Sequence, residues 1–508
     1  MTSTNYQDVQ DCLANYTHIP VAIRSAWPDT IDPFEILKAL STELTGSVIL
    51  ESGRAGRYTY LAYHPSAIIS SKNRQTTIIQ DTQRNSNQQE RIDNENPLHV
   101  LRNYMGQFRT PRIEGLPDYT GGAIGYLSYD LNQIFEPAAA NDAVDDLQLP
   151  DLYVMMFHNV IAFDHETREI ICIRHVSAGG LTSEVYEQTL QELRTLLQSI
   201  SQMHSSADVI DWEELRRHPL TLEQPAAVSF AKKEFEQAVE RVQQYIAQGD
   251  VFQVNLSVRQ TKPISVEPQT VYSVLRRLNP SPYMGYMHLP DFQLVSASPE
   301  LLVKVKNREV STRPIAGTRP RGKNEAEDFA LAQELINNEK ERAEHVMLVD
   351  LERNDLGRVC RYGSVDVSEF MVIEKYSHVM HIVSHVKGEL ADDKDAYDAV
   401  EAAFPGGTIT GAPKIRTMQI IGELEPVKRG VYTGSIGWFD FNGDVELNIA
   451  IRTMVVKDQQ AHVQAGAGIV IDSNPEAEYL ESLKKAEALW KALELSQNRE
   501  LSLEESRV

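Results

Sequence analysis

Cysteine is scarce in this chain, with three among 508 residues. Cys12, Cys172 and Cys360 lie far apart, and none belongs to a Cys-x-x-Cys pair. A sparse, odd set of this kind is typical of reduced intracellular thiols rather than of a disulfide framework.

Positive charge is also in deficit, because 49 lysines and arginines stand against 72 acidic residues, a net charge of −23. This balance argues against nucleic acid or an anionic membrane as a partner, since both are bound through basic patches. No apolar run reaches the roughly 18 residues that span a bilayer, and the N-terminus has no basic-then-apolar signal pattern. We therefore expect a cytoplasmic protein with neither membrane nor nucleic acid among its partners.

Glycine-rich nucleotide-binding signatures are missing too. Neither GxGxxG after a strand nor GxxxxGK[ST] occurs, so nothing in the sequence supports nucleotide binding.

Two glutamate pairs, Glu341/Glu344 and Glu478/Glu481, are the most informative feature that is present. Residues at i and i+3 share a helix face, so each pair forms a small anionic patch. Acidic helix faces are commonly only solvated surface, but Lys485 extends the second row and suggests a site organised around anions. Two such patches would repel unless a hard cation lay between them, and Mg²⁺ commonly bridges a carboxylate to an anionic substrate. The sequence therefore predicts a Mg²⁺ enzyme acting on a small acidic molecule.

An arginine and a glycine-rich strand could complete an anion pocket. Residues 446–452 alternate as a strand, with Arg452 on the face opposite the apolar side chains. A buried arginine needs an anionic partner, and its planar guanidinium matches a carboxylate. Gly466, Ala467 and Gly468 follow one strand later, where backbone N–H groups could approach an anion. Together they predict a dicarboxylate pocket, with one carboxylate on the metal and the other on Arg452 and backbone amides.

Two further residues each allow a structural and a catalytic interpretation. His381 is either an acid/base group or one of three structural histidines in a short segment. Thr408 lies in a Gly/Pro-rich loop, which either forms a tight turn or positions a catalytic group.

The elements predicted from periodicity fall into two regions, 15–175 and 225–495. The first is rich in strands, and the second alternates long helices with period-2 strands. A helix is predicted from an N-cap at Ser229 to Gly249. Predicted strands cover 47–51, 58–62, 121–129 and 153–157, an exposed loop covers 81–97, and a linker lies near 199–208.

Four segments, 313–322, 343–358, 404–416 and 466–473, closely resemble the chorismate-utilising enzymes. The likeness extends from about residue 15 to 495, with an anthranilate synthase component I-like region followed by the chorismate-binding region. It implies an α+β fold in which two antiparallel sheets pack as a sandwich with helices outside.

The resemblance also implies roles for individual residues. Glu344 and Glu481 would hold Mg²⁺, with Glu341 and Glu478 in support. Glu300 would protonate the departing hydroxyl, with His381 and Thr408 beside the ring. The chorismate pocket would be lined by Gly317, Thr318, Tyr432, Arg452, Gly466, Ala467, Gly468 and Lys485.

Two positions bear on which family member this is. Gln253 stands where the isochorismate and salicylate synthases have a water-activating lysine, so the resemblance favours ammonia as the nucleophile. Ala316 is typical of anthranilate synthases, whereas several other segments resemble aminodeoxychorismate synthases. The resemblance therefore implies conversion of chorismate and ammonia to 4-amino-4-deoxychorismate for 4-aminobenzoate and folate synthesis. Formation of anthranilate and pyruvate for tryptophan synthesis, with tryptophan feedback, is the alternative.

Ammonia needs a source, and no cysteine here has a Gly-x-Cys-x-Gly nucleophile setting. A separate glutamine amidotransferase subunit is therefore expected as a partner. Ser52 together with Pro282, Tyr283 and Met284 resembles the tryptophan site of anthranilate synthases, although these segments could equally only pack the two regions together.

Overall fold

The computed structural model describes residues 2–505 except 5, 42–43, 54–55, 81–87, 204–225 and 377–378. In the first half of the chain the strands are β1 (Thr2–Ser3), β2 (His18–Ala26), β3 (Ser47–Glu51), β4 (Tyr58–Ala62), β5 (Ala67–Lys72), β6 (Gln75–Gln80), β7 (Gln88–Asp93), β8 (Gly122–Leu127), β9 (Leu152–Phe157), β10 (Asn159–Asp164) and β11 (Glu169–Ser177). In the second half they are β12 (Ala227–Val228), β13 (Gln253–Pro263), β14 (Tyr283–His288), β15 (Gln293–Ser298), β16 (Leu301–Lys306), β17 (Glu309–Arg313), β18 (Ile315–Pro320), β19 (Asp366–Lys375), β20 (Val379–Glu389), β21 (Gly411–Ala412), β22 (Ser435–Asp440), β23 (Val445–Asn448), β24 (Thr453–Lys457) and β25 (Gln460–Ile469).

The helices connect these strands. They are α1 (Tyr6–Cys12), α2 (Pro33–Leu40), α3 (Pro97–Met105), α4 (Asn132–Phe135), α5 (Ser183–Gln202), α6 (Lys232–Ala247), α7 (Pro268–Leu278), α8 (Glu325–Asn337), α9 (Glu339–Gly357), α10 (Ala396–Ala403), α11 (Lys414–Leu424), α12 (Pro475–Lys485) and α13 (Glu487–Glu505).

The strands form two large sheets whose pairs within each sheet are antiparallel. The first sheet runs β1-β2-β11-β10-β4-β3-β14-β15-β24-β25-β13-β12, with β21 beside β13. The second runs β18-β20-β17-β16-β23-β22-β8-β9-β5-β6-β7, with β19 on the other edge of β20. In each sheet the strands of the two halves of the chain meet once, at β3–β14 and at β8–β22. The region boundaries at 15–175 and 225–495 stay predictions, but both regions contribute to both sheets.

Three buried clusters define the layers. Side chains from both sheets meet in an inner core that includes Ile171, Met155, Tyr126 and Trp438. The outer face of the first sheet is covered by α2, α5, α7 and α13, and that of the second sheet by α3, α9 and α10. The predicted α+β sandwich with helices outside is therefore confirmed.

Several predicted elements match and others are wrong. β3, β4, β8 and β9 lie where strands were predicted, whereas the predicted exposed loop contains β7. Ser229 does not cap the helix, because its hydroxyl accepts from the Arg259 backbone N–H at 3.0 Å and α6 begins at Lys232. The predicted linker begins inside α5, and its end lies outside the described residues.

Within the described ranges, no helix combines the length and the apolar character that a membrane span requires.

Candidate active site

Glu300 and Arg452 lie on two segments where the chain passes from one sheet to the other. Glu300 links β15 of the first sheet to β16 of the second, and Arg452 lies between β23 of the second sheet and β24 of the first. The segments run side by side, since the Ile449 N–H donates to the Glu300 carbonyl and the Ala297 N–H to the Arg452 carbonyl, each at 3.0 Å. The prediction that 446–452 is one strand is therefore wrong after Asn448. Arg452 has a φ of +49°, an uncommon conformation for a residue with a Cβ.

Glu300 is buried, and its pKa is raised above the ordinary value. Burial raises the pKa of Glu300 to about 7, while the Thr408 hydroxyl, the Ile315 N–H and the Arg452 charge all act to lower it. Glu300 Oε1 and Thr408 Oγ1 are both buried, and neither has a partner of normal hydrogen-bond geometry among the described residues. A neutral carboxylic acid at this place can donate a proton into the site.

Thr408 owes its position to a short 3₁₀ turn, Gly407–Ile409. The turn is packed against α9, since a Cβ on Gly407 would lie 2.3 Å from Leu351 Cδ2. Thr408 thus belongs to the site rather than to an isolated turn, although its catalytic role stays a prediction.

His381 is held in one tautomer by the strand beside it. Its Nδ1 lies 3.0 Å from the Gly317 carbonyl oxygen and 3.0 Å from Thr318 Oγ1. A carbonyl can only accept, so Nδ1 carries the hydrogen and Nε2 is left as an acceptor. Burial also lowers the pKa of His381, which favours this neutral form.

Tyr376 lies beside His381 and was not predicted from the sequence. Its ring centroid lies 5.6 Å from that of His381, and its hydroxyl donates to Glu374 at 2.6 Å. Tyr376 is the last described residue before the gap at 377–378.

The four glutamates lie on two helices whose first turns are fixed by asparagine caps. Asn338 accepts from the Glu341 N–H at 3.0 Å, and Asn474 from the Ala477 N–H at 2.9 Å. The charges of Lys340 on α9 and Lys485 on α12 each lower the pKa of both Glu344 and Glu478. The same two lysines therefore act on both glutamate pairs, and a metal shared between the pairs stays a prediction.

Two of the four carboxylates form salt bridges, and the other two do not form one with any described residue. Glu341 pairs with Arg319 at 3.1 Å, and Glu481 with Lys485 at 3.0 Å. Glu344 and Glu478 have no salt bridge within the described part of the chain. Burial is the largest cause that raises the pKa of each, and the neighbouring glutamate adds to it.

The described residues contain no group of three or more acidic, histidine or cysteine side chains close enough to hold a metal by themselves. Mg²⁺ needs fewer, because it keeps several waters and shares substrate oxygens. Glu344 is partly desolvated and has no salt bridge among the described residues, so it suits the role of a magnesium ligand. Glu481 would first have to share its charge with Lys485.

The three small residues on β25 lie opposite β13. Gly466, Ala467 and Gly468 pair with Ser257, Leu256 and Asn255. β24 pairs with β25 only at residues 460–463, so among the described strands the other edge at Gly466–Gly468 has no partner. This leaves backbone groups free to meet an anion. Lys485 Nζ donates to the Gly466 carbonyl at 2.9 Å, which places the end of α12 beside this edge.

Two of the glycines lie close to polar side chains of the site. A Cβ on Gly468 would lie 2.2 Å from Gln253 Nε2, the atom that donates to Glu344 at 3.1 Å. Gly317, with a φ of +64°, would place a Cβ 2.8 Å from Glu341 Oε2. Both glycines therefore allow a neighbouring strand to approach the carboxylates of α9.

Tyr432 is buried beside the second crossover segment. The Thr433 N–H donates to the Ala450 carbonyl at 2.9 Å, and the Arg429 guanidinium lies 5.6 Å from the Tyr432 ring. Arg429 itself is paired with the buried Glu425. Tyr432 therefore lies beside the segment that leads from β23 to Arg452, and its role in the pocket stays a prediction.

The predicted tryptophan site corresponds in part to a cavity of about 510 Å³. Ser52 and Met284 line it together with Glu51, Asp32 and Arg276. Pro282 contributes its carbonyl to a 3.3 Å bond from the Ser52 hydroxyl but is not in the wall. Tyr283 does not line the cavity either. Burial raises the pKa of its hydroxyl, and the charges of Glu446, Arg313 and Glu374 also act on it. The ligand of this cavity stays a prediction.

Comparison with known proteins identifies the family of this chain. The family model for chorismate binding enzymes matches residues 46–491, and the chain belongs to that family. Aminodeoxychorismate synthase component 1 of Bacillus subtilis is 51% identical, with 89% of this chain and 92% of the relative covered. Anthranilate synthase component 1 of Acetivibrio thermocellus is 40% identical, with 96% and 97% covered.

Solved structures show the same fold. Anthranilate synthase component I from Streptococcus pneumoniae TIGR4 superimposes with a TM-score of 0.71 at 37% identity, covering 92% of this chain and 99% of the other. The menaquinone-specific isochorismate synthase MenF of Escherichia coli gives 0.63 at 17% identity, covering 96% and 98%, which bears on the fold alone.

Proposed function

We propose that this chain aminates chorismate with ammonia to give 4-amino-4-deoxychorismate. The observation that carries the proposal is the 51% identity to aminodeoxychorismate synthase component 1, against 40% for an anthranilate synthase component 1. Gln253 supports ammonia as the nucleophile, because its amide cannot act as the base that would activate water.

In this reaction Glu300 donates its proton to the departing ring hydroxyl, which is a poor leaving group unless protonated. The pKa of Glu300 near 7 means that much of it is protonated at neutral pH. His381 Nε2, the ring nitrogen without a hydrogen, would accept the proton that the incoming ammonia loses. Arg452 and the free edge of β25 at Gly466–Gly468 hold the second carboxylate of the substrate.

A magnesium ion would be held by Glu344 and Glu481, with Glu341 and Glu478 in support. Once bound, it would neutralise a substrate carboxylate and so orient the ring. Chelation should abolish activity, and titration calorimetry with Mg²⁺ should show weaker binding by the variant Glu344→Gln.

Anthranilate formation is the second candidate, and Ala316 favours it. Ala316 is buried on β18 opposite Ile382. Because the side chain of alanine has no amine, this position cannot form a covalent bond with the ring. Ammonia itself must then make the first attack in either reaction.

Product identity decides between the two candidates. The purified chain should be incubated with chorismate, Mg²⁺ and an ammonium salt. We expect 4-aminobenzoate only after a lyase is added. Fluorescent anthranilate with pyruvate, formed without the lyase, would establish the second candidate instead.

A glutamine amidotransferase subunit is proposed as the source of ammonia. The relatives are named as component 1, which supports a second component.

A further inference from the structure

Two buried amide side chains on β13 each leave one oxygen without a partner. Gln253 and Asn255 are 5% and 8% exposed, and since they are two positions apart on one strand, they lie on the same face of the sheet. Among the described residues, neither Gln253 Oε1 nor Asn255 Oδ1 has a hydrogen-bond partner. An unpaired buried acceptor costs free energy that a bound N–H or O–H donor would recover. The two oxygens therefore mark a place where such a donor would bind.

Both amides lie close to glycines of β25. A Cβ on Gly466 would lie 2.6 Å from Asn255 Oδ1, and a Cβ on Gly468 would lie 2.2 Å from Gln253 Nε2. These two glycines belong to the edge of β25 at which the second substrate carboxylate is proposed to bind. The two amides therefore border the proposed substrate pocket.

The main chain at Asn255 is tied to the turn that carries Thr408. The Asn255 N–H donates to the Thr410 carbonyl at 2.8 Å, and Arg429 Nη2 donates to the Asn255 carbonyl at 2.7 Å. The same guanidinium donates through Nη1 to the Ile409 carbonyl at 3.1 Å. Asn255 is therefore held in place between the Thr408 turn and the glycines of β25.

The orientation of the Gln253 amide is set by Glu344. Gln253 Nε2 donates to Glu344 Oε1 at 3.1 Å, and an ionised carboxylate can only accept, so the amide oxygen is turned away from the charge. Ammonia attacks only as the neutral molecule, because the lone pair is protonated in ammonium. A carboxylate beside it would favour ammonium, whereas amide oxygens accept its N–H bonds without adding negative charge. The two oxygens therefore suit ammonia, and they do not suit a substrate carboxylate, which has no hydrogen to donate.

We propose that Asn255 Oδ1 and Gln253 Oε1 together bind the ammonia that attacks chorismate. Residues two apart on a strand are separated by about 6.8 Å. A single nitrogen that donates two hydrogen bonds of about 2.9 Å each spans nearly this distance. Two N–H bonds of ammonia are donated to the two oxygens, and its lone pair stays free for the ring carbon. The inference rests on the proposed function, because it requires ammonia as a reactant.

The test is the steady-state kinetics of Asn255→Leu, which keeps the approximate size of the side chain and removes the oxygen. Ammonium chloride is varied at fixed pH and ionic strength, with chorismate and Mg²⁺ saturating. We expect the KM for ammonium to rise roughly 3- to 10-fold, the effect of one lost hydrogen bond. The KM for chorismate and the Mg²⁺ requirement should stay as in the wild-type chain.

Gln464→Leu is the matched control. Gln464 is 5% exposed, and its Oε1 also lacks a partner among the described residues. Its amide donates to the Ser257 hydroxyl at 2.8 Å and not to a glutamate of the proposed metal site. The KM for ammonium of this variant should equal that of the wild-type chain. An equal rise in both variants would mean that loss of any buried amide has this effect, and it would overturn the proposal.

Three results for Asn255→Leu would also overturn the proposal. An unchanged KM for ammonium would remove Asn255 from ammonia binding. A raised KM for chorismate would assign Asn255 Oδ1 to the ring hydroxyl instead, and a raised Mg²⁺ requirement would assign it to the metal.

A second variant covers the case in which Asn255→Leu does not fold, which thermal unfolding and titration with chorismate would reveal. Asn255→Ser is smaller than the wild-type residue, and its oxygen stops one bond short of the position of the amide oxygen. The KM for ammonium should rise in the same way, and an unchanged value would contradict the proposal. A wild-type chain that forms no product from ammonium would instead overturn the proposed function itself.

Discussion

Glu300 is buried and forms no salt bridge with any residue that the structure describes, which suits a proton donor. Replacing it with glutamine keeps its size and removes the proton. We expect Glu300→Gln to lower kcat by roughly 10²- to 10⁴-fold, the usual range for a general acid, with little change in KM. Steady-state kinetics with chorismate and ammonium would show this. A kcat within a few fold of wild type would remove Glu300 from the mechanism.

The same side chain should link stability to pH. Its pKa is raised from 4.5 to about 7 in the fold, so ionisation is less favourable in the folded state than in the unfolded state. The stability that the neutral form contributes is present below pH 4.5 and is lost as the pH rises toward 7. Glu300→Gln should therefore unfold at a higher temperature than wild type at pH 8, with a smaller difference at pH 5. An equal gap at both values would show that the charge is not involved.

At the scale of elements, Gly468 offers a test of how β25 is fitted to α9. Gly468→Ala would place a Cβ 2.2 Å from Gln253 Nε2 and displace the amide that binds Glu344. We expect a strong loss of kcat/KM and a higher Mg²⁺ requirement, measured by titrating the metal in the assay.

Two further variants make that test specific. Gln253→Ala in the Gly468→Ala background removes the clash, so the Mg²⁺ requirement of the double variant should match that of Gln253→Ala alone. Gly179→Ala is the neutral control, because nothing lies within 4 Å of its added methyl group. Equal damage from both glycine substitutions would contradict the argument.

Element prediction succeeded where a segment stays within one sheet. Ser47–Glu51 and Tyr58–Ala62 were placed from strand-forming residues alone, and the structure has the same bounds. It failed at 446–452, because the period-2 alternation continues past Asn448 while the chain leaves one sheet for the other. Alternation reports which side chains are buried, and it cannot report which sheet buries them.

At the scale of the molecule, the topology followed from family resemblance and not from periodicity. The pairing of β3 with β14 joins residues more than 200 positions apart, and nothing local in either strand specifies it. That the two glutamate pairs share a metal stays a prediction, since the structure shows only that Lys340 and Lys485 act on both pairs. Tyr376 was missed, because a single tyrosine gives no signal until its ring contact with His381 is known.

The whole chain should use ammonia but not glutamine. Cys172 and Cys360 are buried, and burial raises their thiol pKa to about 12 and about 11, so neither can act as a thiolate nucleophile. Cys12 is partly exposed on α1 and has no nucleophile motif. Product should form with ammonium chloride and be absent with glutamine alone, as followed by chromatography. Turnover of glutamine by the isolated chain would mean that an amidotransferase activity had been overlooked.

Glu300 and Arg452 each stand on a segment that passes between the two sheets, which has a consequence for how activity can change. The two segments are hydrogen-bonded to each other, so the acid and the guanidinium move together, and their position between the sheets depends on the aromatic residues of the inner core, such as Tyr126 and Trp438. A change of volume in this inner layer would alter the catalytic geometry without touching the substrate. Adjustment of the reaction rate and repacking of the interior are therefore coupled properties of this enzyme, and neither can be tuned alone.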